Sequence, residues 1–227
     1  MLDHKGIPWG QVDVPTVLCR PFLRARGFPG PTVPAMVLDG RKVQTTRAIS
    51  RALDEIRPDP PLFPEDPAAR RAVEEAERWG DEVLQPVPRR IAVASLVRDT
   101  TGMASFLERP LLGMPPRLVE ASAKPIMAGS RRINRAGDDA IRRDLADLPG
   151  LLDRVDEFID EETIGGDQLN AADFQIATSV RLLLAIEDVA GLVEGRPAAD
   201  HARRVVSHYP GHLPRKLPQD WLASARA

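Results

Sequence analysis

Apolar and polar residues alternate on both sides of an Asp-Gly pair in the stretch GPTVPAMVLDGRKVQTTRAI, residues 30–49. Period-two alternation around Asp39-Gly40 predicts two short strands and a tight turn, because the pair accepts the positive φ such a turn requires. Val33-Pro34 opens the first strand, where a proline breaks no ladder. The spacing then changes. Ile49, Ala52, Leu53 and Ile56 repeat at helical intervals, with Thr45 and Thr46 as candidate N-caps. A helix start leaves N–H groups and a positive dipole end that suit a carboxylate or phosphate, although a strand start and a cap alone select the same residues.

Upstream, MLDHKG reads as the last turn of a helix, with Gly6 as terminator and Lys5 complementing the dipole. Residues 7–14 predict a short strand through Trp9, Val12 and Val14. Residues 16–28 are less regular, with Arg20, Arg24 and Arg26 on a solvated face around a short helical turn. Residues 57–67, RPDPPLFPEDP, hold five prolines in eleven positions and must form an extended connector, with Leu62 and Phe63 pinned against a neighbouring element.

Beyond the connector the strand signals nearly stop. Helical spacing covers 68–97, interrupted or kinked at Pro86 and Pro88, and 117–148, where Pro125 argues for a late start. Shorter helices are predicted over 151–160 and 197–208, and the proline-rich tail to Ala227 reads as a wrapping segment. The strongest helix pattern covers 170–189. Asn170 stands at the N-cap and Asp173 at N3, a capping box, with Leu169 and Phe174 as the hydrophobic staple. Its body, IATSVRLLLAI, is apolar nearly all round, which places it at the centre of a helical domain.

Composition narrows the partners. The 227 residues carry 28% charged side chains and a formal charge of −2, so no strong field draws the chain to nucleic acid or to an anionic membrane. No apolar run approaches the ~20 residues of a membrane span, and the N-terminus lacks a signal-peptide core, so a soluble, cytoplasmic protein is expected. The single cysteine, Cys19, excludes an internal disulfide framework and a multi-cysteine metal site. It lies outside any CxxC, so a reactive role for it has little sequence support. His208 and His212 are four apart, but Pro210 and Gly211 break the helix that could bring them to one metal. Arg131, Arg132, Arg135, Arg142 and Arg143 interleave with Asp138, Asp139 and Asp144 as a solvated face. Trp79, Met103, Phe106 and Met114 are either core or the lining of a pocket.

Taken in order, LDHKGIPW, TVPAMVLDGRKVQTTRAI, DPPLFPEDPAAR and GGDQLNAADFQIA resemble the glutathione S-transferase family. The resemblance implies an α+β arrangement. A thioredoxin-like α/β domain (1–57), lacking its first strand and most of its first helix, is followed by a linker (58–67) and an all-α domain (68–227). It implies glutathione as co-substrate, a small electrophile as second substrate, no metal, and a homodimer. Val33 would pair its backbone with the cysteinyl part of glutathione, ahead of a cis Pro34. Thr45 and Thr46 would receive the γ-glutamyl carboxylate, Thr45 where the family has Glu, Gln or Asp and Thr46 where it has Ser. Asn170 and Asp173 remain a structural cap.

In the family, sequence like LDHKGIP follows a first strand and most of a first helix, at whose start a Tyr, Ser or Cys activates the thiol. Met1 falls inside that helix. The expectation is therefore an N-terminal module that is compromised, or a start assigned downstream of the true one, the second being preferred. No catalytic residue is assigned. Two functions follow from different classes: a transferase that uses glutathione thiolate on a small electrophile, or a non-catalytic binding protein of the same fold. A thiol oxidoreductase using Cys19 is a third.

Overall fold

The computed structural model describes residues 1–14, 16–106 and 116–223. The Asp39-Gly40 pair turns the chain as its sequence demands: both residues have positive φ, 48° and 81°. That is the type I′ geometry whose twist matches its flanking strands. β1 (Ala35–Leu38) pairs antiparallel with β2 (Arg41–Gln44), Ala35 opposite Gln44 and Leu38 opposite Arg41. Leu38 and Val43 are buried beside α2 (Thr46–Ile56), which buries Ile49, Ala52 and Leu53. Ile56, also expected on that apolar face, is 43% exposed at the end of the helix.

Four reverse turns share one hydrogen-bond signature, the paired 6→1 and 5→2 bonds of the Schellman motif. At the N-terminus Ile7 N–H bonds Leu2 O and Gly6 N–H bonds Asp3 O, with Gly6 at φ 60°. Gly27 closes α1 (Thr16–Ala25) in the same way. Arg135 closes α5 (Pro116–Ile133), and Glu162 follows α6 (Asp138–Asp160), both at positive φ without being glycine.

Lys5 does more than complement its own turn. It is 1% exposed, and its ammonium reaches Asp54 Oδ1 (2.7 Å), Arg57 O (2.5 Å) and Pro60 O (2.8 Å). Its three donors meet three acceptors, so the buried charge is satisfied, and two of those acceptors cap the C-terminal end of α2 and the connector. Asp54 also receives Leu62 N–H at 2.7 Å, and Leu62 O accepts from Ala171 N–H at 3.0 Å. Leu62 and Phe63 are buried, as the connector reading required.

In the helical part α7 (Ala171–Leu184) packs against α3 (Pro67–Trp79), α4 (Pro86–Arg98), α8 (Glu187–Val193) and α9 (Pro197–Val205), while α5 packs on α4 and α6 on α4 and α9. The capping box is formed: Asn170 Oδ1 accepts from Ala172 and Asp173 N–H, while Asp173 Oδ2 accepts from Asn170 N–H at 2.7 Å. The tail wraps back as expected. Leu213 exchanges backbone bonds with Ala185 and Glu187, and Asp188 accepts from the amides of Lys216 and Leu217, before α10 (Gln219–Leu222).

Several expectations are corrected. Residues 7–14 are not a strand: they have no ladder partner, and no third strand occurs among the described residues. Residues 16–25 form a regular ten-residue helix, on which Arg20 and Arg24 are exposed as expected; Arg26, just beyond it, is exposed too. The helix over 68–97 breaks earlier than its prolines, in a π turn at Gly80–Leu84, after which Pro86 takes the N1 position that needs no N–H. The span 117–148 is two helices broken at Arg135, and α5 starts at Pro116 with Pro125 inside it. α6 runs through Pro149, absorbing the separate helix expected at 151–160. The 170–189 pattern divides at Ala185-Ile186 into α7 and α8. Asp144 is no part of a solvated face: it is buried and takes Arg90 in a two-pronged ion pair (2.6 and 2.5 Å) that joins α6 to α4. Trp79 meets Phe158 edge-on at 5.4 Å, and Met103 and Phe106 pack on the core; Met114 lies outside the described residues.

Asp173 is fully buried, and its Oδ1 also receives Gly165 N–H (2.7 Å) and approaches His201 Nε2 of α9 (3.3 Å). Asp173→Ala leaves two part-buried amides without partners and empties a buried site; it is expected to cost about 3 kcal/mol, lowering the melting temperature by roughly 6–12 °C. Burial, with help from the Arg204 cation, pushes the His201 imidazole down to about 4, whereas burial raises the Asp173 carboxyl. Below pH 6.5 the unfolded chain protonates this histidine and the native state does not, so acid favours unfolding; the raised Asp173 acts in the opposite sense. Between pH 7 and 5 the histidine removes about 2 kcal/mol of stability. Chemical denaturation across that range should show this limb in the native protein and lack it in His201→Gln.

Candidate functional site

The hairpin delivers the chain to α2 through a strained residue. Thr45, the N-cap, has φ 80° and ψ 146°. A β-branched residue at positive φ is a genuine outlier and costs on the order of 1–3 kcal/mol. Hydrogen bonds hold it on each side: Thr45 N–H reaches Pro34 O (3.1 Å), Thr45 O accepts Ile49 N–H (3.0 Å), and Thr45 Oγ1 accepts Ala48 N–H (3.3 Å). The bond to Pro34 ties the start of α2 to the residue that precedes β1. The Val33-Pro34 peptide is cis.

This arrangement leaves two sets of backbone groups free. The amides of Thr46 and Arg47, the first two of α2, have no hydrogen-bond partner among the described residues, nor do the amide and carbonyl of Val33. Val33 is 64% exposed. Thr46, Val33 and Pro34 line one cleft of about 940 Å³. Thr45 does not line it, because its hydroxyl is turned to its own helix as a cap. Of the four residues singled out in the sequence for a ligand, the fold therefore brings three to one cleft, while Thr45 caps the helix beside it.

The opposite walls are largely apolar. They come from residues 7–14, with Ile7, Trp9 and Val12, and from α1 and its exit, with Phe22, Leu23 and Phe28. Trp9 and Val12 are 51% and 67% exposed, since no strand pairing draws them into the core. The Trp9 indole donates to Asp3 (2.7 Å). Cys19 lines the cleft too, its thiol 3.5 Å from Val14 O. A site with an apolar wall, free amides at the positive end of an eleven-residue helix and a hydroxyl at Thr46 suits a small molecule that carries a carboxylate on an extended backbone.

Sequence reading missed Gln44. Its side-chain amide closes onto the segment before Val33, accepting Gly30 N–H (2.7 Å) and donating to Gly30 O (3.0 Å) and Thr32 O (2.5 Å). Only its place at the end of an alternating strand marked it, and that signal says nothing of where the side chain turns. Asn170 and Asp173 lie at the start of α7 and do not line the cleft. Among the described residues no cluster of three or more His, Cys, Asp or Glu is placed to hold a metal, and no helix is long and apolar enough to cross a membrane.

Comparison with known proteins bears on the fold. Residues 1–61 match the profile of the glutathione S-transferase N-terminal domain. No curated protein matches the sequence. Among solved structures, a glutathione S-transferase from Rhodospirillum rubrum F11 superposes with a TM-score of 0.50 at 20% identity, over 98% of this chain and 90% of that one. The chain thus has the glutathione S-transferase fold: a thioredoxin-like N-terminal part with a small two-stranded sheet, and a mostly helical remainder.

Replacing Thr45 by Gly removes the positive-φ strain while costing only a few tenths of a kcal/mol in capping. After the extra unfolded-state freedom of glycine is subtracted, a gain of about 1 kcal/mol is expected. A scanning melt should show a rise of roughly 2–4 °C.

Proposed function

We propose that this protein binds glutathione in the cleft beside β1 and the first turn of α2, and presents its thiol to a small apolar electrophile. The observation that carries the reading is that Val33, Pro34 and Thr46 line one cleft, and that the amide of Thr46, like that of Arg47 next to it in the chain, has no hydrogen-bond partner among the described residues. In this reading the open backbone of Val33 pairs with the cysteinyl unit, as a strand edge pairs with an extended peptide. The γ-glutamyl carboxylate sits on the amides of Thr46 and Arg47 and accepts the Thr46 hydroxyl, where the helix dipole adds to the hydrogen bonds. Trp9, Val12 and Phe22 supply the surface on which an apolar electrophile rests, held close to the sulfur so that the encounter becomes intramolecular.

Conjugation also needs thiolate, and a thiol with an unperturbed pKa of about 8.5 must be brought toward neutrality by a donor or a positive field. Among the described residues the cleft lining offers the Cys19 thiol and the Arg26 guanidinium but no Tyr or Ser hydroxyl. The lack of that hydroxyl donor favours a second reading, binding without conjugation.

Titration calorimetry with reduced glutathione tests the binding, and thioether formation with an activated aryl halide separates the two readings. Binding with turnover supports the first, binding without turnover the second, and no heat of binding with no retention on immobilised glutathione overturns both. Thr46→Val removes one charge-assisted hydrogen bond and should weaken glutathione binding roughly tenfold without altering the melting temperature by more than a few degrees.

A further inference from the structure

We propose that Gln44 is a positioning residue for the cleft, fixing the peptide-pairing edge at Val33 at a set distance from the carboxylate end at Thr46; this rests on the glutathione reading above. Gln44 is the last residue of β2, and its backbone stands opposite Ala35. Its side chain turns away from that ladder and behaves as a substitute strand residue for the segment before β1. One amide oxygen takes Gly30 N–H, and one amide nitrogen serves Gly30 O and Thr32 O. Among the described residues these are the only hydrogen bonds made by residues 30–33.

The contact is shaped on both sides. A Cβ on Gly30 would stand 2.8 Å from Gln44 Oε1 and 3.1 Å from Cδ, so the side-chain amide lies flat on a backbone that only glycine leaves bare. Thr45, the next residue, holds Pro34 O, and Thr46 follows with its free amide on the cleft. Three consecutive residues therefore set the ligand frame. Gln44 grips the chain before Val33, Thr45 grips it after, and Thr46 meets the carboxylate. A mere loop staple would have no reason to bracket an exposed residue whose own backbone groups are unpaired. The bracketing leaves Val33 N–H and C=O presented but not consumed.

The test uses the whole chain with Gln44→Met and Gln44→Glu, reading the dissociation constant for reduced glutathione by calorimetry alongside the melting temperature. Gln44→Met keeps the volume and removes all three hydrogen bonds; it should bind at least tenfold more weakly than the native protein. Gln44→Glu should be as weak at pH 7, where its carboxylate faces two carbonyls. It should regain part of the native affinity as the pH falls toward 4.5, where the protonated acid can again accept from Gly30 N–H and donate to one of the two carbonyls. A rescue of affinity by protonation of one side chain reports on the geometry of the site rather than on folding, and it remains readable if Gln44→Met does not fold. If the native protein binds and Gln44→Met stays within twofold of it, the positioning role is overturned alone. If binding by Gln44→Glu follows the native pH profile with no recovery, it is likewise overturned. A native protein that does not bind glutathione overturns the reading of the cleft itself, and this inference with it.

Discussion

A buried ammonium holds the two parts of this molecule in register. Lys5 has no solvent to return to, and an unpaired charge in its position would cost several kcal/mol. Its three acceptors come from α2 and from the connector, so the N-terminal turn, α2 and the proline-rich segment must adopt one mutual arrangement for the charge to be met. The same Asp54 that receives it also receives Leu62 N–H, and Leu62 O receives Ala171 N–H at the first turn of α7. A continuous polar path therefore runs from residue 5 to the middle of the helical part. At its far end lies the capping box, where Asp173 binds two further amides and meets His201.

The cleft depends on this path because its own scaffold is slight. Two strands of four residues form a hairpin that is marginal on its own, and they gain stability by burying Leu38 and Val43 beside α2. The strain at Thr45 is tolerated for the same reason: its backbone is tied to Pro34 on one side and to the first turn of α2 on the other. A strained cap next to unpaired amides is the pattern expected where local stability has been exchanged for the ability to bind.

Much of this was legible in the sequence wherever the signal was local. The Asp-Gly turn, the cap at Thr45, the capping box at Asn170 and Asp173, and the buried pair in the proline connector all rest on chemistry that acts over a few residues, and each is found in place; Thr46, the other cap candidate, is instead the first residue of α2. The losses have physical causes. Two of the four Schellman turns carry glycine, at 6 and 27, and Gly6 was read as a helix terminator; the other two place Arg135 and Glu162 at positive φ, which no propensity announces, and the boundaries between α5, α6 and their neighbours were lost with them. Alternation in residues 7–14 described a strand that needs a partner to exist, and pairing is not a local property. Lys5, Asp144 and Gln44 looked like surface residues because charge and polarity say nothing of a partner that lies 14 to 54 positions away. The cleft residues were visible for a mixed reason: Thr46 and Val33 stand where local caps and strand starts occur, and only the folded chain shows that they line one cleft.

The flat contact between the Gln44 amide and the bare backbone of Gly30 makes two positions behave as one. A side chain at 30 would displace the amide, and once the amide is gone the contact no longer favours glycine. Substitutions at 30 and 44 are therefore coupled and should covary across 14 residues of sequence, and a redesign of the cleft that treats either position as free will meet the other as a hidden epistatic partner.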